Sequence, residues 1–420
     1  MRIEELERAS LTEVGEHLRR LTGRDGVRIS EVCDLLLKKA VVSRCSDVHI
    51  EPTHRGTRVR FRIDGVFQDA AVLPIELHEQ LVARVKVLAD LLTHRREIVQ
   101  EGRISLEVGG SRTDLRVSIV PTVAGEKVVA RIFAATRAYF QLDQIGYDPA
   151  MTQKTRALLF DLEGLFLLTG PSGSGKTTTL YALLSEIANE LDAYASIITI
   201  EDPVEFQFGQ WSQMQVNRQV NLDFAAGLKA ALRQDPEVIM VGEIRDFETA
   251  ETALRAGLTG HLVMSTLHSG SAPETVTRLI NMDLEPFVVA SALTGTIAQR
   301  LVRRLCEACR EQAPVDAPKL DLLRRLYRGG APEELVLWTG KGCEACQFTG
   351  YSGRIPLAEL LDVDEEVRSL ILEKARTSTI RQRLLARGWQ TLLDDGLRKA
   401  AQGLTTAEEL LRAVSLREVS

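Results

Sequence analysis

The eight residues "GPSGSGKT", Gly170 to Thr177, fit the pattern G-x-x-x-x-G-K-[ST]. They follow the apolar run "LFLLTG" and open the amphipathic run "TTTLYALLSEIANE", in which Leu180, Leu183 and Leu184 point inward. Strand, tight loop and helix in that order separate this motif from a chance glycine-rich turn. Glycines let backbone N–H groups close around phosphate oxygens, and the helix N-terminus adds partial positive charge. Gly170, Pro171, Ser172, Gly173, Ser174 and Gly175 are therefore expected to wrap a nucleotide, with Thr178 just behind them. Lys176 is expected to reach the β- and γ-phosphates of ATP, and Thr177 to ligate Mg²⁺.

A loop of this kind needs a parallel sheet around it. "ASIITI", "VIMV" and "HLVMSTL" supply further short apolar runs with helical stretches between them. That alternation predicts an α/β domain with a parallel sheet covered on both faces. Upstream the pattern differs. Val59, Phe61 and Ile63 alternate with Arg58, Arg60 and Arg62, and Asp64-Gly65 supplies a hairpin turn. Leu77, Leu81, Val85 and Leu88 form a helical stripe. Ile104, Leu106 and Val108 face Leu115, Val117 and Ile119 across Gly109-Gly110, and a strand covers 127–133. The expected organisation is a helical leader over 1–40, a small α+β domain over 41–135 and a linker over 136–147. An ATPase core over 148–304, a cysteine element over 305–353 and a helical segment over 354–420 follow.

Apolar residues make up 45% of the 420-residue chain, enough for sizeable cores, and no run of eighteen apolar residues is present. The charged start "MRIEELERAS" has no signal core, which predicts a cytosolic protein. Net charge is −6 with acids and bases mixed, which argues against a dedicated nucleic-acid binder.

"TIEDPVEF" places Glu201, Asp202 and Glu205 after one strand, where carboxylates can orient the waters of Mg²⁺. Alone, such a loop reads as a solvated turn. The strand "VIMV" ends in Gly242, where many such proteins carry Asp, and Glu243 follows. Which acid serves the metal and which the water stays open from the residues alone. His261 and His268 flank one strand; a lone His is more often structural, but ligands of such sheets sit at the carboxyl ends of strands. Arg116 and Arg131 read as exposed strand arginines.

Cys306-x-x-Cys309 and Cys343-x-x-Cys346 are separated by a 33-residue insert. Paired C-x-x-C in a cytosolic chain predicts a structural zinc site rather than four unrelated thiols. Cys33 and Cys45 read as ordinary buried thiols. The basic segments "QRLVRRLCEACR" and "LLRRLYR" read as solvated faces, or as docking surfaces for a membrane-platform protein or acidic lipid.

Taken together, "SDVHIEP", "RVRFRIDGV", "EGRISL", "RVSIVPTVAGEKVVARIF", "ASIITIEDPVEF", "LRQDPEVIMVGEIRD", "GHLVMSTLHSGSA" and "GCEACQFTGYSGRIPLAELL" resemble the ATPases of type II secretion and type IV pilus assembly, across residues 42–412. The resemblance implies a RecA-like P-loop domain preceded by a PAS-like α+β domain, with a tetra-cysteine zinc insertion and a C-terminal helical segment. It makes Glu243 the residue that polarises the attacking water and Glu205 the second catalytic carboxylate, with Glu201 and Asp202 in support. His261 and His268 match the family's γ-phosphate-sensing box. Arg116 and Arg131 match two arginines that reach the triphosphate from the first domain. It implies a homohexamer working with an inner-membrane platform protein and the cytoplasmic domain of a membrane-associated assembly protein. The tetra-cysteine element favours assembly or secretion over pilus retraction. A nucleic-acid-translocating motor and a nucleotide-regulated scaffold are the alternatives. The family's extra N-terminal docking domain is not expected in the residues before "SDVHIEP".

Overall fold

A computed structural model describes residues 3–23, 27–133, 141–190, 196–314 and 336–414, together with positions 321, 323 and 326. Residues 136–140 of the expected linker, and most of the basic run at 322–328, lie outside the described residues. The chain forms two compact units. One comprises 1–135, 305–311 and 340–353, and the other 136–304, 312–339 and 354–420.

In the first unit, helices α1 (Ile3–Arg8), α2 (Leu11–Thr22) and α3 (Ile29–Val42) precede a sheet. Its strands are β1 (Cys45–Thr53), β2 (Gly56–Ile63), β3 (Val66–Leu73), β4 (Gln100–Val108), β5 (Ser111–Thr122) and β6 (Gly125–Phe133), with α4 (His78–Leu88) between β3 and β4. Their order is β3-β2-β1-β6-β5-β4, with antiparallel neighbours throughout. Asp64 and Gly65 turn β2 into β3 at φ 48° and 82°, the geometry of a two-residue hairpin. One face buries Val48, Ile50, Val59, Phe61, Leu115, Val117 and Ile119 with Leu36, Leu37, Leu81 and Val85 of the helices. The opposite face is polar. Fully buried Lys39 donates to the carbonyls of Leu6 (2.8 Å) and Ala9 (2.6 Å), satisfying the C-terminal end of α1.

The second unit is built on β7 (Gly164–Thr169), β8 (Ile197–Glu201), β9 (Ser212–Gln215), β10 (Val238–Val241), β11 (Leu262–Leu267) and β12 (Leu293–Leu305). The short strands β13 (Arg310–Gln312) and β14 (Trp338–Gly340) form a ribbon, and β15 (Tyr351–Asp362) rejoins the main sheet. The order is β15-β12-β7-β11-β10-β8-β9, parallel from β12 through β9. Period-2 alternation explains why both faces are apolar. Leu165, Leu167, Ile239, Val241 and Val263 pack under α7 (Phe224–Ala231), α8 (Phe247–Gly257), α9 (Ala272–Asn281) and α10 (Pro286–Ala292). Phe166, Leu168, Val238, Met240 and Met264 pack under α5 (Pro149–Leu159) and α6 (Lys176–Glu190).

The helical segment expected over 354–420 begins later. The chain instead stays extended to Asp362 and becomes helical only at Glu365, because "PLAELL" is buried on both sides and has no helical stripe. Helix α8 approaches β7 so closely that a Cβ on Gly257 would lie 2.8 Å from the Gly164 carbonyl carbon. Gly257→Ala should therefore lower stability by about 1–3 kcal/mol through overpacking, read by chemical denaturation, with unchanged secondary structure.

Candidate functional site

Because β7, β11, β10 and β8 run parallel and in register, their C-terminal ends share one edge of the sheet. Gly170 to Gly175 leave β7 at that edge and lead into α6 at Lys176. Gly170, Gly173 and Gly175 have φ of 145°, 75° and 87°, and a Cβ on Gly170 would lie 2.4 Å from the Gln299 carbonyl oxygen. Lys176 Nζ donates to the carbonyls of Gly170 (2.9 Å) and Pro171 (3.1 Å). Burial, helped by Arg300, lowers the Lys176 pKa, and Glu243 opposes the shift. The buried Ser174 hydroxyl has no hydrogen-bond partner among the described residues. Left-handed glycines, an ammonium resting on carbonyls and an unspent hydroxyl fit a phosphate chain. Thr177 and Thr178 follow on the first turn of α6.

Gln299 and Arg300, which sequence reasoning missed, form the floor of this loop. The Gln299 amide donates to the Ser174 carbonyl (2.7 Å) and its oxygen accepts from Tyr147 (2.5 Å) and Thr179 (3.1 Å). Arg300 donates to the Gly270 carbonyl (2.5 Å). Thr169 at the end of β7 is tied to Ser269, hydroxyl to hydroxyl at 2.7 Å. Only pairing of β12 with β7 reveals these roles, and no local pattern marks it. Arg303 pairs with Glu409 at 2.7 Å, so Arg300 and Arg303 of the basic run both have partners within the protein.

Gly242 explains the absent aspartate. Its N–H donates to Ile200 (2.8 Å), and a Cβ there would lie 3.2 Å from both the Ile200 oxygen and the Phe224 ring. The acid is displaced to Glu243, which pairs with Arg245 and lies 3.4 Å from His268 Nε2. Burial works to raise the Glu243 pKa, but Arg245 and His268 outweigh it and hold the carboxyl below its ordinary value. Arg278 donates to the His268 carbonyl (2.7 Å) and steadies that loop.

The other expected residues divide. Glu201 ends β8 with its carboxylate buried, Asp202 lies 3.6 Å from Arg218, and Glu205 is exposed four residues on. His261 is not brought to the cluster. It precedes β11 and contacts the Ala256 carbonyl (3.2 Å), about 23 Å from His268 at ~3.3 Å per strand residue. In the first unit, Arg116 and Arg131 are direct cross-strand partners on the polar face, and Arg103 is the next partner of Arg116. Like charges so placed repel. Glu101 offsets Arg116 at 2.7 Å, and the buried Asp47 offsets Arg131 at 3.0 Å.

The four paired cysteines also converge. Their sulfurs lie within 4.8 Å of one another, with 3.9 Å for Cys306–Cys343 and 3.8 Å for Cys309–Cys346 and Cys343–Cys346. A tetrahedral zinc at ~2.3 Å from each thiolate sets them about 3.8 Å apart. Burial would raise the Cys346 thiol, but amides of Cys343 and Gly350, each 3.2 Å from its sulfur, bring it to about 7. The donor set is compatible with zinc. Cys33 and Cys45 are separately buried, and burial pushes both thiols up to about 12.

The sequence matches the family described as type II/IV secretion system protein over residues 23–412. It is 42% identical to the type II secretion system protein HxcR of Pseudomonas aeruginosa, covering 93% of this chain and 78% of that one. Identity to the type II secretion system ATPase E of Vibrio cholerae is 42%, covering 93% and 76%. Identity to the type IV pilus assembly ATPase PilB of Myxococcus xanthus is 40%, covering 92% and 68%. Among solved structures, the pilus retraction motor PilT with bound ADP superposes with a TM-score of 0.59 at 26% identity, covering 92% and 97%. The Legionella pneumophila ATPase DotB superposes at 0.67 with 23% identity, covering 91% and 94%, a likeness of fold. A phosphate-binding loop with an acid and a histidine at the neighbouring strand ends, in a chain matched almost throughout, makes this protein an ATPase of the type II/IV secretion system family.

Proposed function

We propose that the chain is a mechanochemical motor that hydrolyses ATP to drive assembly of type IV pili or of type II secretion pseudopili at the inner membrane. The observation that carries this reading is the meeting of Glu243 and His268 at the sheet edge that bears the phosphate loop. The four-thiolate cluster and the names of the relatives support assembly or secretion over retraction. The mixed charge speaks against a nucleic-acid translocase.

In the proposed cycle Lys176 would leave the Gly170 and Pro171 carbonyls for the β- and γ-phosphates of ATP, and Thr177 would hold Mg²⁺. Magnesium held there would supply charge neutralisation on the phosphate oxygens. Glu243, kept ionised by Arg245 and His268, takes the proton of the attacking water, and Glu205 with Asp202 orients it. His268 reports the γ-phosphate to the Thr169–Ser269 junction beneath it. The resemblance assigns Arg116 and Arg131, held by Glu101 and Asp47 within the first unit, to the charge developing on the transferred phosphoryl group. His261, at the sheet edge opposite the phosphate loop, is given no part in this step within one subunit. A homohexamer would couple such sites, with an inner-membrane platform protein and a membrane-associated assembly protein as partners. No helix among the described residues is long and apolar enough to cross a membrane. Stimulation of turnover by a platform protein or anionic lipid, and not by DNA, separates this function from nucleic-acid translocation.

Glu243→Gln should bind ATP with near-normal affinity and lose turnover by a factor on the order of 10² or more. Nucleotide binding and phosphate release, measured on the same preparation, check this, and near-normal turnover refutes the assignment. For the cysteines, metal analysis should find zinc at about one ion per chain. A strong chelator or Cys346→Ser should then lower the melting temperature; zinc-free protein of unchanged stability would rule out a structural metal.

A further inference from the structure

Glu201 stands among the acids expected to orient the waters of Mg²⁺ and to support Glu205, yet its surroundings give it different work. Its side chain is buried, with 2% of the residue exposed. One carboxylate oxygen accepts from Thr199 Oγ1 (2.6 Å) and Gln213 Nε2 (3.0 Å). The other accepts the hydroxyl of Tyr181 on α6, the helix that begins at Lys176. A magnesium ligand needs an open lone pair facing the ion. Here three donors and the protein interior surround the group.

The same amide of Gln213 reaches further. Its Nε2 also donates to the Phe206 carbonyl (3.0 Å), and its Oε1 accepts the Phe208 N–H (2.7 Å). Gln215, two residues on and so on the same side of β9, accepts the Val204 N–H at 3.3 Å. The backbone of the loop carrying Asp202 and Glu205 is thus held at 204, 206 and 208 by two glutamines of one short edge strand. Below it, Phe208 stacks on Trp211 at 3.8 Å and meets the Tyr181 ring edge-on at 5.0 Å.

We infer that Glu201, Gln213 and Tyr181 are positioning residues. They form a clamp that fixes the acidic loop to the helix of the phosphate loop, so that Glu205 stands at a set place relative to Lys176. Glu201 acts as a buried hydrogen-bond acceptor and not as a metal ligand. This rests on the proposed role of Glu205 and adds to it the device that places that residue.

The test compares Glu201→Ala, Glu201→Gln, Gln213→Leu, Tyr181→Phe and Glu205→Gln in the full chain. Each is assayed for kcat, for KM of magnesium-ATP and for the magnesium concentration giving half-maximal rate, with ATP binding and thermal melting measured alongside. Misplacing a catalytic group by about 1 Å can cost on the order of 10²-fold. Glu201→Ala and Gln213→Leu should lose kcat by about tenfold or more, with KM and the magnesium midpoint within about twofold. Tyr181→Phe removes a single oxygen, keeps the fold and should show a smaller loss of the same kind. The neutral isostere Glu201→Gln should restore most of the kcat lost in Glu201→Ala. The clamp is refuted if Glu201→Gln is as inactive as Glu201→Ala and needs more magnesium, which would make the charge a metal ligand. It is equally refuted if Gln213→Leu and Tyr181→Phe turn over like the unmodified chain. Normal turnover in Glu205→Gln would overturn the role given to Glu205, while the kcat of Gln213→Leu judges the clamp on its own.

Discussion

Strand β7 has a helix layer on either side, and all six of its residues are buried. Such a strand can present polar chemistry only where it ends. Thr169 marks that end, held by Ser269 of the loop after β11. The phosphate loop, Glu243 and His268 are brought together because they follow the ends of neighbouring strands. The same constraint sets His261 aside, since a residue before β11 emerges at the opposite edge. Seven positions of sequence separate two histidines that the sheet keeps on different sides.

What the sequence made legible follows from how local each signal is. The phosphate loop needs only eight consecutive residues with a strand before and a helix after, and all were visible. The hairpin at Asp64-Gly65 and the β4–β5 turn at Gly109-Gly110 were visible for the same reason. Gln299 was not, because its role arises when β12 pairs with β7 more than a hundred residues away. Strand β9 (Ser212–Gln215) carries no apolar alternation, so nothing in the sequence marks its glutamines. Their use becomes apparent only once they bond the segment following Glu201. The place of Gly242 was seen but not explained. The answer lies in Phe224 and the Ile200 carbonyl, which crowd any side chain there.

Two features of the first unit show how context redefines ordinary residues. Exposed arginines on a strand invite no comment singly. Placed opposite each other at 116 and 131, with Arg103 alongside, they make a concentration of positive charge that the sheet sustains only with Glu101 and the buried Asp47 as counter-ions. Anions that displace those carboxylates would find the guanidinium groups already arrayed. The paired cysteines follow the same logic. Two short turns far apart in sequence set their sulfurs at the spacing of one tetrahedral ion.

The central claim is that ATP is held by the loop around Lys176 and cleaved by acids drawn from adjoining strand ends. Its most direct test is ATP affinity and magnesium-dependent phosphate release, compared between the unaltered chain and Lys176→Ala. The account predicts saturable release in the former and an affinity loss of about tenfold or more in the latter. Equal binding and equal release in the two proteins would contradict it.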